Sequence, residues 1–207
     1  MKTLRTFVSA IFAGICISFG GTAFILSGNK IAGALFFVIG LFVICTYGAN
    51  LFTGKVCYSL EQKASYILDL ILIWVGNLVG SFIFAEGLKA TRLEMDTSFI
   101  EAKVTDGYLS LFILGILCNF LIFIAVDGFK NNPHELGKYL SLFFGVSVFV
   151  LCGFEHSVAD MFYFSLYGWS GQAFIAELFV TAGNIVGGLL GYVGFRKFVQ
   201  YTPKAKE

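Results

Sequence analysis

Charged side chains are scarce in this sequence. Only 13% of its 207 residues are Asp, Glu, Lys or Arg, whereas 57% are hydrophobic and 25 are phenylalanine. A soluble globular domain carries about 25% charged residues, so this composition excludes that class. The net charge of +1 also leaves no basic surface for nucleic acid, which is bound through many Lys and Arg contacts. We therefore predict an integral membrane protein.

Other missing patterns exclude further classes. The five cysteines form no Cys-x-x-Cys pair and have no histidine at a metal-ligand spacing, so we predict buried structural thiols and no metal site at Cys16, Cys45, Cys57, Cys118 and Cys152. The sequence contains no Gly-rich phosphate loop and no pair of carboxylates that would indicate an enzyme. We therefore predict no catalytic residue and no cofactor. The absence of Asn-Pro-Ala argues against a water channel of aquaporin type.

Six apolar runs dominate the chain, and most are close to the roughly 20 residues that an α-helix needs to cross a bilayer. They predict an all-α protein with a single transmembrane domain over residues 1–207 and both termini on one side. The first run follows Met-Lys-Thr-Leu-Arg but is long for a signal peptide and lacks an Ala-x-Ala site, so we interpret it as a helix. The runs are Phe7–Leu26, Ile31–Phe52, Ile67–Ala85, Tyr108–Val126, Tyr139–Phe154 and Ala173–Phe195.

Loop charges predict the orientation, because Lys and Arg are retained on the cytoplasmic side of short loops. With both termini in the cytoplasm, the cytoplasmic side carries Lys2, Arg5, Lys55, Lys63, Lys130, Lys138, Arg196, Lys197, Lys204 and Lys206. The other side carries Lys30, Lys89, Arg92 and Lys103. This bias predicts a multi-pass protein of the cell membrane with cytoplasmic termini.

The chain contains an internal repeat. Gly-Asn-Leu-Val-Gly at 76–80 returns as Gly-Asn-Ile-Val-Gly at 183–187, an offset of 107 residues. Each half, roughly 1–90 and 100–200, contributes three spans, so the halves have inverted topology. Polar breaks precede the motifs at 48–54 and 152–160, in helices 2 and 5, where unwound backbone is tolerated only if it lines a cavity. We predict a pore between the breaks and interpret the two Gly-Asn motifs as helix packing.

The second break holds three ionisable residues at membrane depth, where such groups usually mark a pathway. We predict that His156 acts in the pore, whereas His134 lies in a polar loop. Glu155 is expected to anchor the loop by accepting backbone N–H bonds. Asp160 allows two interpretations: it faces the lumen and favours a protonated His156, or it faces the scaffold and takes no part in transport.

Four motifs together resemble the formate/nitrite transporter family: Gly-Ala-Asn-Leu-Phe-Thr-Gly (48–54), Gly-Asn-Leu-Val-Gly (76–80), Gly-Ile-Leu-Cys-Asn (115–119) and Gly-Phe-Glu-His-Ser-Val-Ala-Asp-Met-Phe (153–162). The resemblance covers essentially the whole chain. It implies an aquaporin-like fold in a membrane-embedded homopentamer, in which each protomer has its own pore for a small anion. Family members usually carry an amphipathic gating segment before the first span. Only six residues precede Phe7, so we expect no gating of that kind.

The resemblance also implies the site. It places the family's central histidine at His156, its loop threonine at Thr53 and its vestibule or filter lysine at Lys103, with Asn119 as a further hydrogen-bonding residue. An equally open interpretation is that the side chain of Lys103 reaches the outer membrane–water interface. The apolar constrictions fall on Phe37, Leu41, Leu51, Phe52, Ile122 and Phe149, for which ordinary packing is the alternative.

The energetics of permeation suggest a mechanism. Moving a bare carboxylate through a dry constriction costs tens of kcal/mol, whereas protonating a simple acid three units above its pKa costs about 4 kcal/mol. We therefore expect Lys103 to attract the anion, Thr53 and Asn119 to supply hydrogen bonds, and His156 to donate or stabilise the proton. Formate is the first candidate substrate, and nitrite, hydrosulfide, acetate and lactate are the alternatives.

Overall fold

Nine α-helices build the part of the protein described by the computed structural model, residues 2–199; Met1 and residues 200–207, with Lys204 and Lys206, lie outside it. The helices are α1 (Lys2–Leu26), α2 (Lys30–Tyr47), α3 (Phe52–Val56), α4 (Tyr66–Lys89), α5 (Ser98–Thr105), α6 (Tyr108–Asn131), α7 (Glu135–Cys152), α8 (Ser157–Tyr167) and α9 (Gly171–Tyr192). A 3-10 turn at Ser59–Glu61 follows α3, and a π-helix at Val193–Val199 continues α9.

Six of these helices are long and apolar enough to cross a membrane within the described residues: α1, α2, α4, α6, α7 and α9 with its π-helical extension. They correspond one to one with the six predicted spans, so the all-α fold is confirmed. The predicted second and fifth spans end too late, however, because α2 stops at Tyr47 and α7 stops at Cys152. Helix α5 was not predicted.

Helices 2 and 5 are broken, as the sequence predicts. Four residues, 48–51, separate α2 from the short helix α3, and four more, 153–156, separate α7 from α8. Each break begins with a glycine in the left-handed region, Gly48 at φ 70° and Gly153 at φ 74°. Residues with a Cβ avoid this conformation, which is typical of a helix C-terminus. The two glycines therefore end the two helices in the same way.

Corresponding helices pack together within each half of the chain, and the short helices α3 and α8 pack against the other half. Helix α1 packs on α4 and α6 packs on α9, while α2 and α7 meet between the halves. The half-helices cross over, since α3 contacts α9 of the second half and α8 contacts α4 of the first. Because each half has three spans, the second half is inverted relative to the first. The two helix breaks consequently meet inside the protein.

The glycines of the repeated motifs lie where helices approach closely, which confirms their role in packing. A Cβ added at Gly80 would stand 2.0 Å from the Ile11 carbonyl oxygen, and one at Gly187 would stand 2.1 Å from the Ile116 carbonyl oxygen. No side chain fits at such distances, so only glycine permits these helix crossings.

All five cysteines are free thiols. Cys57 and Cys118 are buried, as predicted, and Cys16 and Cys45 are half-buried. The prediction is wrong for Cys152, which is exposed. It is the last residue of α7 and lies beside the break.

Candidate functional site

The first break is held by one asparagine of the repeated motif. The Asn77 Oδ1 atom accepts from the backbone N–H of Phe52 at 2.8 Å, at the start of α3. Its Nδ2 atom donates to the carbonyls of Ala10 at 2.8 Å and of Asn50 at 3.0 Å. Unpaired backbone groups at a helix terminus inside a membrane protein are costly. The side chain of Asn77 therefore satisfies the backbone that the break exposes.

The second break is held by the equivalent asparagine in the same way. The Asn184 Oδ1 atom accepts from the backbone N–H of Ser157 at 2.9 Å, at the start of α8. Its Nδ2 atom donates to the carbonyls of Gly115 and Glu155, both at 2.9 Å. Sequence reasoning assigned both asparagines to helix packing and missed this role. The signal was the similar position of each motif after its break.

His156 and Thr53 bring the two breaks into contact. The Nε2 atom of His156 lies 3.0 Å from Oγ1 of Thr53, and its Nδ1 atom accepts from the backbone N–H of Ala159 at 3.1 Å. A backbone N–H can only donate, so Nδ1 carries no proton and the neutral ring carries its proton on Nε2. Nε2–H then donates to Thr53, which leaves the hydroxyl proton of Thr53 free to point elsewhere.

Aromatic rings surround this contact. The Phe149 ring stacks on the His156 ring, with centroids 5.5 Å apart and planes 15° apart. Phe37 meets Phe149 edge to face at a centroid distance of 5.8 Å. Phe37, Phe149 and His156 are 1%, 3% and 2% exposed, so little water reaches the rings. The structure thus joins a polar donor pair to an apolar wall.

Two cavities flank the contact. The first, named here the Lys103 cavity, measures about 470 Å³ and is lined by Lys103, His156, Phe37 and Phe149 among others. The second, the Lys55 cavity, measures about 100 Å³, and its lining includes Lys55, Leu41, Leu51 and Gly54. Phe37 lines the first cavity, and Leu41, one turn further along α2, lines the second. The buried residues between them separate the two cavities.

Four predicted pore residues line neither cavity: Thr53, Asn119, Phe52 and Ile122. Phe52 and Ile122 are buried, at 5% and 1% exposure. The Nδ2 atom of Asn119 donates to the carbonyls of Thr53 at 3.2 Å and Asn184 at 2.7 Å. Asn119 therefore fixes the backbone of Thr53, and its amide N–H groups are already in use within the protein.

Lys103 lies between two carboxylates. Its ammonium forms an ion pair with Glu155 and lies 3.1 Å from Oδ1 of Asp160. It also approaches the ring of Tyr163, 5.6 Å from the centroid. Glu155 was expected to accept backbone N–H bonds, but it forms this ion pair instead. Asp160 lines the cavity, but it contacts Lys103 rather than His156. Buried charges are stable only when they are paired. The two acids Glu155 and Asp160 in an apolar segment were therefore the sequence signal for this triad.

A buried carboxyl group supports the second half-helix. Ser157 and Thr181 both donate to Oε1 of Glu177, at 2.6 Å and 2.9 Å. The indole N–H of Trp74 donates to Thr181 at 3.0 Å and joins α4 to α9. This network holds the start of α8 against α9. Sequence reasoning did not identify it.

Taken together, two cavities, a buried constriction and paired helix breaks in a bundle of spanning helices define a multi-pass membrane channel. Residues 1–197 match the formate/nitrite transporter family, and the chain belongs to this family. The expected aquaporin-like fold is confirmed by the solved structures of the same family.

Several relatives match most of this chain. A probable formate transporter of Methanothermobacter thermautotrophicus is 31% identical over 90% of this chain and 85% of the relative. The nitrite transporter NirC of Salmonella typhimurium is 31% identical over 91% of this chain and 82% of the relative. A pentameric formate channel with formate bound superposes with a TM-score of 0.81 at 26% identity, covering 97% of this chain and 98% of that one.

Proposed function

We propose that this channel conducts small monovalent anions, with formate as the main substrate. The observation that carries the proposal is the donor pair of His156 and Thr53 inside the aromatic constriction, 3.0 Å apart and between two cavities. Formate is small and offers two acceptor oxygens to such a pair. Relatives that are described as formate and nitrite transporters support the same substrate class.

The donor pair suits a substrate that crosses as the neutral acid. His156 is held as the neutral Nε2–H tautomer by Ala159, so the constriction has no fixed cation to offset the charge of a bare anion. Desolvating an unpaired carboxylate costs far more than the roughly 4 kcal/mol needed to protonate it. In this mechanism formate takes up a proton in a cavity and passes Phe37 and Phe149. The Thr53 hydroxyl donates to it, and the Nε2–H of His156 exchanges its bond to Thr53 for one to the substrate.

Lys103 has a different role in this proposal from the one expected. The triad of Lys103, Glu155 and Asp160 contains two potential negative charges for one positive charge, so the ammonium is no free attractor of anions. It offsets carboxylates that would otherwise repel the substrate. Asn119 acts as a positioning residue through the Thr53 carbonyl.

We further propose a homopentamer in the cell membrane with both termini in the cytoplasm. The solved formate channel that resembles this chain is a pentamer. Large apolar side chains are exposed along the spanning helices, as membrane lipid and neighbouring protomers require; examples are Phe12, Phe36, Phe82 and Phe144. The Lys and Arg bias of the loops supports the orientation.

An uptake panel tests the substrate. Proteoliposomes are mixed in a stopped-flow instrument with formate, nitrite, hydrosulfide, acetate or lactate at two pH values. We expect formate to enter fastest, with faster uptake at the lower pH. Uptake of acetate or lactate as fast as formate would show a wider constriction, whereas faster nitrite or hydrosulfide uptake would assign the channel to that anion.

A further inference from the structure

The Lys55 cavity holds positive charge without a carboxylate. Lys55 and Lys130 both line it, and its lining contains no Asp or Glu. Within residues 2–199, neither ammonium group forms an ion pair. Lys55 stands in the last turn of α3, where the helix dipole favours a cation.

The acid closest in sequence to Lys130 is already committed to other partners. The Oδ1 atom of Asp127 accepts from Arg196 at 2.8 Å, from Tyr58 at 3.1 Å and from Asn131 at 3.0 Å. The ammonium of Lys130 instead stands 4.3 Å from the centre of the Tyr58 ring. Lys130 therefore lines the cavity without forming an ion pair with Asp127.

The Lys103 cavity has the reverse balance of charged side chains. Its lining includes two cations, Lys30 and Lys103, and three carboxylates, Asp96, Glu155 and Asp160. The two ends of the pathway therefore differ in electrostatic character, although the backbone around them is repeated. A narrow cleft lined by charge of one sign concentrates counter-ions.

We propose that the Lys55 cavity is an anion-capture subsite, in which Lys55 and Lys130 bind the substrate anion before it reaches Thr53. This inference rests on the proposed function and deepens it: formate is captured at lower concentration from the Lys55 side than from the Lys103 side. The Lys and Arg bias of the loops places the Lys55 side in the cytoplasm, so this subsite binds formate that enters the channel from the cytoplasm.

The test measures formate uptake from each face separately. Right-side-out and inside-out membrane vesicles are prepared from a host without its own formate channels, and the half-saturating formate concentration is determined in each. We expect a lower value from the Lys55 face. Lys55→Gln raises it about threefold and weakens its dependence on ionic strength. The double variant with Lys130→Gln raises it about tenfold and loses that dependence. Values from the Lys103 face stay unchanged.

Three controls separate the possible failures. Lys55→Arg retains the charge and is expected to keep the dependence on ionic strength that Lys55→Gln weakens. Lys63→Gln removes an exposed lysine from the same predicted face and has no effect. Should Lys55→Gln fail to fold, Lys130→Gln alone carries the test. Equal half-saturation from both faces in the wild type, or unchanged values in the double variant, would overturn the capture site. Absence of formate flux in the wild type would instead reject the proposed function.

Discussion

The two helix breaks share a backbone but differ in their side chains. Each starts with a left-handed glycine, Gly48 or Gly153, and each is closed by the asparagine of a repeated motif. At the third position after the glycine, however, the first break has Leu51 and the second has His156. The repeat therefore supplies the architecture twice, whereas the hydrogen-bonding chemistry of the constriction comes from the second break and the Thr53 hydroxyl.

The two cavities show the same contrast in their charges. In the Lys103 cavity the ammonium is paired with Glu155 and Asp160, whereas in the Lys55 cavity the ammonium groups have no carboxylate in the lining. The backbone is repeated, but the charges differ: ion pairs balance the ammonium in the Lys103 cavity, whereas the Lys55 cavity is left positive. Four sets of variants test how far this contrast extends.

Removing Lys103 gives the largest expected effect. Lys103→Met leaves the buried carboxylates of Glu155 and Asp160 without their cation, and we expect a loss of about 3–5 kcal/mol in the free energy of unfolding. Lys55→Met removes an unpaired lysine and costs less than about 1 kcal/mol. Denaturant unfolding in detergent measures both. Adding Glu155→Gln and Asp160→Asn to Lys103→Met restores stability; equal losses for Lys103→Met and Lys55→Met would contradict the pairing.

Making the second break like the first removes the donor. His156→Leu places at that position the residue found in the first break. Formate flux falls about 100-fold, which corresponds to the upper part of the ~1–3 kcal/mol cost of leaving a buried polar group without its hydrogen-bond partner. Proteoliposome uptake measures the effect. His134→Leu, which alters the histidine of the polar loop, leaves flux unchanged. Wild-type flux in His156→Leu would remove this residue from the pathway.

The equivalence of the two asparagines is the next test. Asn77→Ala and Asn184→Ala each leave break backbone groups unpaired, and each lowers the free energy of unfolding by about 2 kcal/mol. The same detergent unfolding assay compares them. Because their contacts match, similar losses are expected, and a large loss at one position alone would show that the breaks are not equivalent.

The smallest expected effect concerns the hydroxyl of Thr53. Thr53→Val keeps the shape but removes the partner of His156, and formate flux falls about tenfold while stability changes by less than about 1.5 kcal/mol. Thr53→Ser keeps the hydroxyl and most of the flux. A Thr53→Val protein that transports as fast as Thr53→Ser would place substrate recognition elsewhere.

Much of the fold followed from the sequence, because apolar run length and the repeated Gly-Asn motif are local signals. The six spans and both breaks were predicted in this way. The ion pairs of Lys103 were not, since residues 103 and 155 come together only through tertiary packing. The positions of Thr53, Asn119, Phe52 and Ile122 outside the cavity linings depend on side-chain direction, which helical spacing alone does not determine. The roles of the pore residues remain predictions for the variants above.

The central claim is that formate crosses the constriction as the neutral acid. It is tested most directly by recording formate uptake, internal pH and membrane potential together in proteoliposomes, with protein-free liposomes and His156→Leu as controls. The account predicts acidification of the lumen in proportion to uptake, with no electrical potential generated and no response to an imposed potassium diffusion potential. Formate uptake that generates a potential and leaves internal pH unchanged would contradict it.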